Sequence, residues 1–141
     1  MVETRTAEVA CLVTDHDGSV ALALTFGPGT NSRGWSVPTT WMGDGEDQLN
    51  AAERAIRDTL GWSVHTVRPI WRLARWPDRS DLVTTIVAAR ARLAQWRQHA
   101  DVEAVDWFTR TEALGLLRAG HGFDAATIAV LYWWLAEGAE R

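Results

Sequence analysis

Residues 35–62 read WSVPTTWMGDGEDQLNAAERAIRDTLGW. The second half carries Leu49, Ala52, Ile56 and Leu60 at spacings of three and four, the pattern of an amphipathic helix. Asp47 stands where an N-cap belongs, because its side-chain oxygen can accept an orphaned N–H of the first turn. Gly61 stands where a left-handed C-cap belongs. The spacing therefore predicts a helix over residues 47–60. Ahead of it, residues 39–46 are polar and Gly-rich and read as a loop. Residues 35–38 read as a short extended piece, because Pro38 biases Val37 away from helix.

On the N-terminal side, residues 8–14 and 19–26 read as strands. The turn Asp15-His16-Asp17-Gly18 joins them into a hairpin, and Asp-Gly supplies the preference for positive φ. Residues 27–34 form a loop by composition. On the C-terminal side, residues 64–76 read as extended chain, and residues 82–91, rich in Val, Ile and Thr, as a strand. Residues 77–81 are the expected turn between them. Residues 94–99 fit either a helical turn or a loop. Residues 102–108 read as a last strand, and a helix follows from Thr109 or Thr111 to Leu117. Asp124 caps the final helix, residues 125–137. The order is β-β-(short β)-α-β-β-β-α-α. Neither an internal repeat nor a linker interrupts it, so residues 1–141 are expected to form a single domain.

The central stretch resembles the Nudix box, G-x5-E-x7-R-E-U-x-E-E-x-G-U with U apolar. By spacing, Glu46 falls on the first Glu, Arg54 on the Arg, and Ile56 on the first apolar position. Asp58 falls on the penultimate acid, Gly61 on the Gly and Trp62 on the last apolar position. The lead-in Trp35-x-x-Pro38 and the pairs Gly45-Glu46 and Ala51-Ala52 also look like Nudix sequences. So does the strand Glu103-Ala104-Val105-Asp106-Trp107-Phe108, which resembles the family's E-x-x-x-x-W-F/V element. The resemblance implies an α/β fold, the Nudix α/β/α sandwich with a mixed curved β-sheet between helices. It also implies that Glu46 and Arg54 pair to brace the loop against the helix, with Gly61 completing the structural motif.

The departures bear on function. Thr40 replaces the leading Gly of the box, and Thr39 the Gly common before it. Ala55 and Thr59 stand where the family places carboxylates, which leaves Asp58 alone of the acidic trio. Positions 55, 58 and 59 are i, i+3 and i+4 and are expected to share one helix face. Three carboxylates there would hold a hard divalent cation through oxygen, with water and substrate phosphates completing the shell. The cation would neutralise a pyrophosphate and help activate water. One short Asp is a weak Mg2+ or Mn2+ site. The expected cofactor is therefore none, or a weakly held Mg2+ or Mn2+. The weak metal candidates are Asp58 and Glu46, with Asp44 nearby. The catalytic candidates are Glu53 and Asp58, although Glu53 also has the spacing for an i,i+4 pair with Arg57. His99, Asp101 and Glu103 form the one local cluster able to add a ligand.

For ligand binding the candidates are Trp41, Thr39, Thr40, Arg72 and Trp76. Trp41 either stacks on a flat ring or fills the loop. Trp71, Arg72, Arg75 and Trp76 alternate aromatic and basic groups; strand geometry would put Trp71, Leu73 and Arg75 on one face and Arg72 and Trp76 on the other. That pattern serves a nucleobase-and-phosphate pocket or ordinary cation–π packing. In the last helix, Ile128, Leu131 and Leu135 form a stripe that Val130, Trp133 and Trp134 widen. Its readings are a lid over the pocket, a dimer interface or a deeper core.

Composition narrows the classes. All 14 basic side chains are Arg, which removes Schiff-base chemistry and a P-loop lysine. Net charge is −4, against a nucleic-acid partner or an anionic membrane. Cys11 is the sole cysteine, so there is no internal disulfide and no thiolate zinc cluster. The N-terminus lacks a signal-peptide pattern and no apolar run spans a membrane, so a cytoplasmic protein is expected. Nine Trp suggest an aromatic-lined pocket or a contact surface. The expected function is a degenerate Nudix-fold protein that binds a nucleotide-like or aromatic small molecule without ordinary Mg2+-dependent pyrophosphate cleavage. The alternatives are an active Nudix hydrolase with a rebuilt metal site, a non-catalytic homodimerising interaction module, and a non-hydrolytic reaction in the same pocket.

Overall fold

The computed structural model describes residues 7–26, 33–61, 64–76, 79–91, 102–120 and 124–138. The hairpin forms as its turn chemistry demands. β1 (Ala7–Thr14) and β2 (Val20–Phe26) meet across a turn in which Asp15 Oδ1 accepts the N–H groups of Asp17 (3.0 Å) and Ser19 (2.9 Å). Gly18 takes the left-handed φ of +81° that a side chain would resist.

The chain then changes partner. β3 (Arg33–Ser36) pairs with β2, and β4 (Thr39–Trp41) pairs antiparallel with β1, Ala10 opposite Thr39 and Val9 opposite Thr40. Residues 39–41 are thus a strand, not the first part of a loop. The reason is tertiary: β1 offers an unfilled edge there, and its Cys11 N–H donates to the Pro38 carbonyl at 2.9 Å as the chain crosses.

β5 (Val64–Trp76), β6 (Arg79–Ala91) and β7 (Val102–Phe108) complete a seven-stranded sheet with the order β3-β2-β1-β6-β5; β4 sits on β1 and β7 on β2. β1 and β6 run parallel and the other pairs antiparallel, so the sheet is mixed and open. Of the turn expected over residues 77–81, residues 79–81 are strand, because the ladder between β5 and β6 continues to Trp76 opposite Arg79; residues 77–78 lie outside the described residues. Polar residues 79–81 resemble a turn locally, but a backbone ladder asks only for a partner. A register shift between Ala74 and Trp76 also breaks the simple alternation expected to carry Arg75 and Trp76. Their side chains lie outside what is described.

Alternation in β1 divides the core. Val9, Cys11 and Val13 face α1 (Gln48–Leu60), where they pack with Ala51, Ala52, Ala55, Ile56 and Leu60. Ala10 and Leu12 face α2 (Arg110–Ala119) and α3 (Ala125–Gly138), where they meet Ala113, Val130, Leu131 and Trp134. The result is the expected layering of helices on both faces of a sheet.

The helix ends follow their sequence signals. Asp47 accepts the Leu49 N–H and Gly61 closes α1 at φ +73°. Thr109, rather than Thr111, caps α2 through a reciprocal capping box with Glu112. Asp124 Oδ1 accepts the Thr127 N–H at 2.7 Å. Thr127 is itself buried, and its Oγ1 accepts the N–H of Val37 at 3.2 Å. That bond ties the start of α3 to the crossing chain. Of the apolar faces of α3, Val130, Leu131 and Trp134 are buried, while Ile128 and Tyr132 are 38% and 55% exposed. No helix among the described residues is long and apolar enough to cross a membrane. Residues 94–99 lie outside the described residues.

Candidate functional site

The loop before α1 is held by one guanidinium. Arg54 Nε donates to Glu46 Oε2 at 3.1 Å and Nη2 to Glu46 Oε1 at 2.7 Å, the bidentate pair expected from the sequence. Arg54 Nη1 donates to Thr40 Oγ1 at 3.0 Å, and Nη2 also to the Trp41 carbonyl at 3.0 Å. Glu46 Oε1 in turn accepts the Gly43 N–H at 2.9 Å. β4, the loop and the helix are therefore one hydrogen-bonded unit. The hydrogen bonds from Arg54, then the one from Gly43, hold the Glu46 carboxyl below its usual range. Donating the same bonds to Glu46 pushes the Arg54 guanidinium up. Glu46 is a brace, with both oxygens engaged.

The acidic positions do not converge. Ala55 is 3% exposed and packs inside the sheet-facing core of α1, Thr59 is half-buried, and Asp58 points to solvent. A spacing of three residues leaves about 60° between side chains, enough here to put one in the core and the other in water. The three positions keep the spacing expected of one helix face, but that face runs from the core at Ala55 to solvent at Asp58. Asp58 Oδ1 lies 3.8 Å from Arg57 Nε with both side chains more than 60% exposed. Arg57 thus neighbours Asp58, and the expected pair with Glu53 is not formed; Glu53 is exposed on the helix surface. Asp44 is exposed in the loop. Glu103 is half-buried on β7, and His99 and Asp101 lie outside the described residues. Among the described residues no three of His, Cys, Asp and Glu come close enough to hold one metal ion. Among the described residues the donor set therefore does not fit the divalent cation that a complete box would bind.

The candidate binding residues divide between the faces of the sheet. Cross-strand partners share a face, and Thr40, Val9, Thr85 and Arg72 are successive partners across β4, β1, β6 and β5. Val9 belongs to the α1-side core, so Thr40 and exposed Arg72 lie on that side. Thr39 and Trp41 sit opposite Ala10 and Glu8 and so take the α3 side. Trp76 is opposite Arg79 at the far end of β5. Thr40 and Trp41 line a recess of about 480 Å3 with Met42, Gly43, Asp44 and Arg54.

A second cavity, of about 460 Å3, was not visible in the sequence. It lies on the α3 side, at the carboxyl ends of β1 and β6, and gathers Arg68, Arg90 and Arg110 near Trp133 and Trp134. The tryptophan pair drew attention in the sequence. The arginines did not, because only the register between β5 and β6 brings two of them together.

A family model described as the NUDIX domain matches residues 4–131. No curated relative matches the chain.

Proposed function

The chain belongs to the Nudix family, and from that premise we propose that it binds a nucleotide-like or aromatic small molecule and does not carry out Mg2+-dependent pyrophosphate cleavage. The observation that carries this reading is the seat of Ala55. That position lies in the core beside Cys11, Ala52 and Ile56, and it presents a methyl group where the family's box presents a carboxylate. Asp58 adds one exposed carboxylate beside a cation, a poor site for an ion that needs several oxygens. The brace of Glu46 and Arg54 is retained and Thr40 adds to it, so the loop is held to the helix while the helix lacks the acids of the chemistry.

The test is incubation with a panel of nucleoside-diphosphate-linked compounds and Mg2+ or Mn2+. No phosphate-bond cleavage above background is expected. Turnover of about 1 s−1 or more, within the ordinary enzyme range, would sink the reading.

A second reading, an interaction module, draws on Ile128 and Tyr132. They stand four residues apart on α3, so they share a helix face, and both are exposed. A homodimer through that face predicts that light scattering gives twice the chain mass and that Ile128→Glu with Tyr132→Glu returns a monomer. A monomer at high concentration in the unmodified chain excludes it.

A further inference from the structure

We propose that the cavity at the carboxyl ends of β1 and β6 is a binding site for a small organic anion with a flat aromatic body, and that it needs no metal. Its floor is built from two transverse rows of the sheet. Leu12, Ala88 and Arg68 are cross-strand partners, and so are Thr14, Arg90 and Thr66. Leu12 belongs to the α3-side core, so both rows face α3. The methyl of Ala88 leaves a depression between the longer side chains. α3 covers the sheet at Val130 and Leu131, then passes over this depression with Trp133, Trp134 and Glu137.

The charges are arranged for an anion. Arg68 and Arg90 are diagonal neighbours on adjacent strands, a placement that typically sets side chains about 7–8 Å apart. Both are exposed, and neither has a hydrogen bond or ion pair among the described residues. A guanidinium fork matches a carboxylate or phosphate in two parallel bonds. Arg110 is a different case. Its Nη1 donates to the Trp134 carbonyl at 2.8 Å and its guanidinium lies 4.6 Å over the Trp134 ring. Those contacts fix a third positive charge at the rim and fix the indole beside it. The acids at the rim are Asp15 and Glu137, and Asp15 Oδ1 is already engaged by two turn N–H groups. Three cations against two acids make this patch positive on a chain of net charge −4.

Two general rules support the position. In open α/β sheets ligands settle outside the carboxyl ends of parallel strands, and β1 with β6 is the parallel pair of this sheet. The volume of about 460 Å3 falls within the roughly 300–1,000 Å3 of small-molecule sites. The cavity lies on the face of the sheet away from Arg54 and α1, so this inference goes beyond the non-hydrolytic reading and does not depend on it.

The experiment is calorimetric titration of the full chain in the presence of a chelator. The ligands are indole-3-carboxylate and adenosine monophosphate, followed by indole, adenosine and inorganic phosphate as their separate halves. At least one of the two aromatic anions should saturate with a Kd at or below about 1 mM and bind about tenfold tighter than either of its halves. Whether the carboxylate or the phosphate binds identifies the anion. Arg68→Ala and Arg90→Ala should each weaken that binding about tenfold, the usual loss of a charge-assisted contact. Should either variant melt early, Arg68→Gln and Arg90→Gln keep most of the stem and replace it. Failure of both aromatic anions to saturate, halves that bind as well as the whole, or arginine variants with unchanged Kd would each overturn the site. Cleavage of nucleotides with Mg2+ would bear on the α1 reading alone.

Discussion

Arg54 Nη1 reaches the hydroxyl of Thr40 at 3.0 Å, so a residue that departs from the family box is built into the brace of that box. Where the pattern has Gly, the threonine oxygen gives the guanidinium an acceptor beyond Glu46 and the Trp41 carbonyl. The bond also fixes β4, whose ladder with β1 begins one residue earlier at Thr39. Thr40→Ala should lower unfolding free energy by about 1 kcal/mol, because a charged donor in a half-buried place loses its partner. Thr40→Ser should recover most of it. Urea denaturation of the three proteins measures the effect, and equal midpoints would show that the bond is idle.

The Glu46 carboxyl is held low by Arg54 and by the Gly43 N–H, which fixes the sign of its pH dependence. Its contribution is fully present above the unfolded-state pKa of about 4.3 and is lost as pH falls through the lower folded-state value. Glu46→Gln should melt below the unmodified chain at pH 7, and the gap should narrow on acidification below about pH 4. A gap independent of pH would contradict the pairing.

Ala55 leaves no room for charge. Ala55→Glu alone should destabilise the fold by about 2–4 kcal/mol, the scale of an unpaired polar group forced into a core. In the double variant Ala55→Glu with Thr59→Glu, Mn2+ should not raise the melting temperature through binding to the folded state, because position 55 lies in the core while Asp58 lies in water. The unmodified chain should show no such rise either. Thermal melts with and without Mn2+ compare them directly.

Asp58 is exposed and makes a loose contact with Arg57 at 3.8 Å. Asp58→Asn should change stability by less than about 0.5 kcal/mol, as surface substitutions do, and should leave ligand affinity unchanged. A loss of hydrolytic turnover in this variant would restore the reading of an active enzyme with a rebuilt metal site.

Burial pushes the Cys11 thiol up to about 12, and its Sγ lies 3.8 Å from the Ala52 carbonyl. The folded chain should resist a thiol reagent at pH 8 and react with one equivalent in denaturant. The unfolded thiol ionises near 8.5 while the folded one keeps its proton, so stability should fall as pH rises above that value. Rapid labelling of the native chain would show that the α1–β1 contact opens readily.

Much of the fold was legible because its signals are local. The hairpin needs only Asp15 and Gly18, α1 only its caps and its apolar spacing, and α2 and α3 only Thr109 and Asp124 with the turns they cap. β4 was hidden because the partner of Thr39–Trp41 lies about thirty residues away, and polar Thr-Thr next to Gly-rich chain resembles a loop. The site divides the same way. Glu46 and Arg54 could be paired from spacing alone. The separation of Thr39 from Thr40, and of Arg72 from Trp41, onto opposite faces required the sheet register.

The amino-acid order by itself determined the helix, its caps, the brace and the absence of carboxylates at positions 55 and 59, since each is a property of residue type at short spacing. Only the tertiary structure decided that Ala55 faces the core while Asp58 faces water, and that Arg68, Arg90 and Trp133 line one cavity. Helix rotation and strand register are set by which apolar surface is buried against which, and contacts between distant segments, not neighbours in the chain, make that choice.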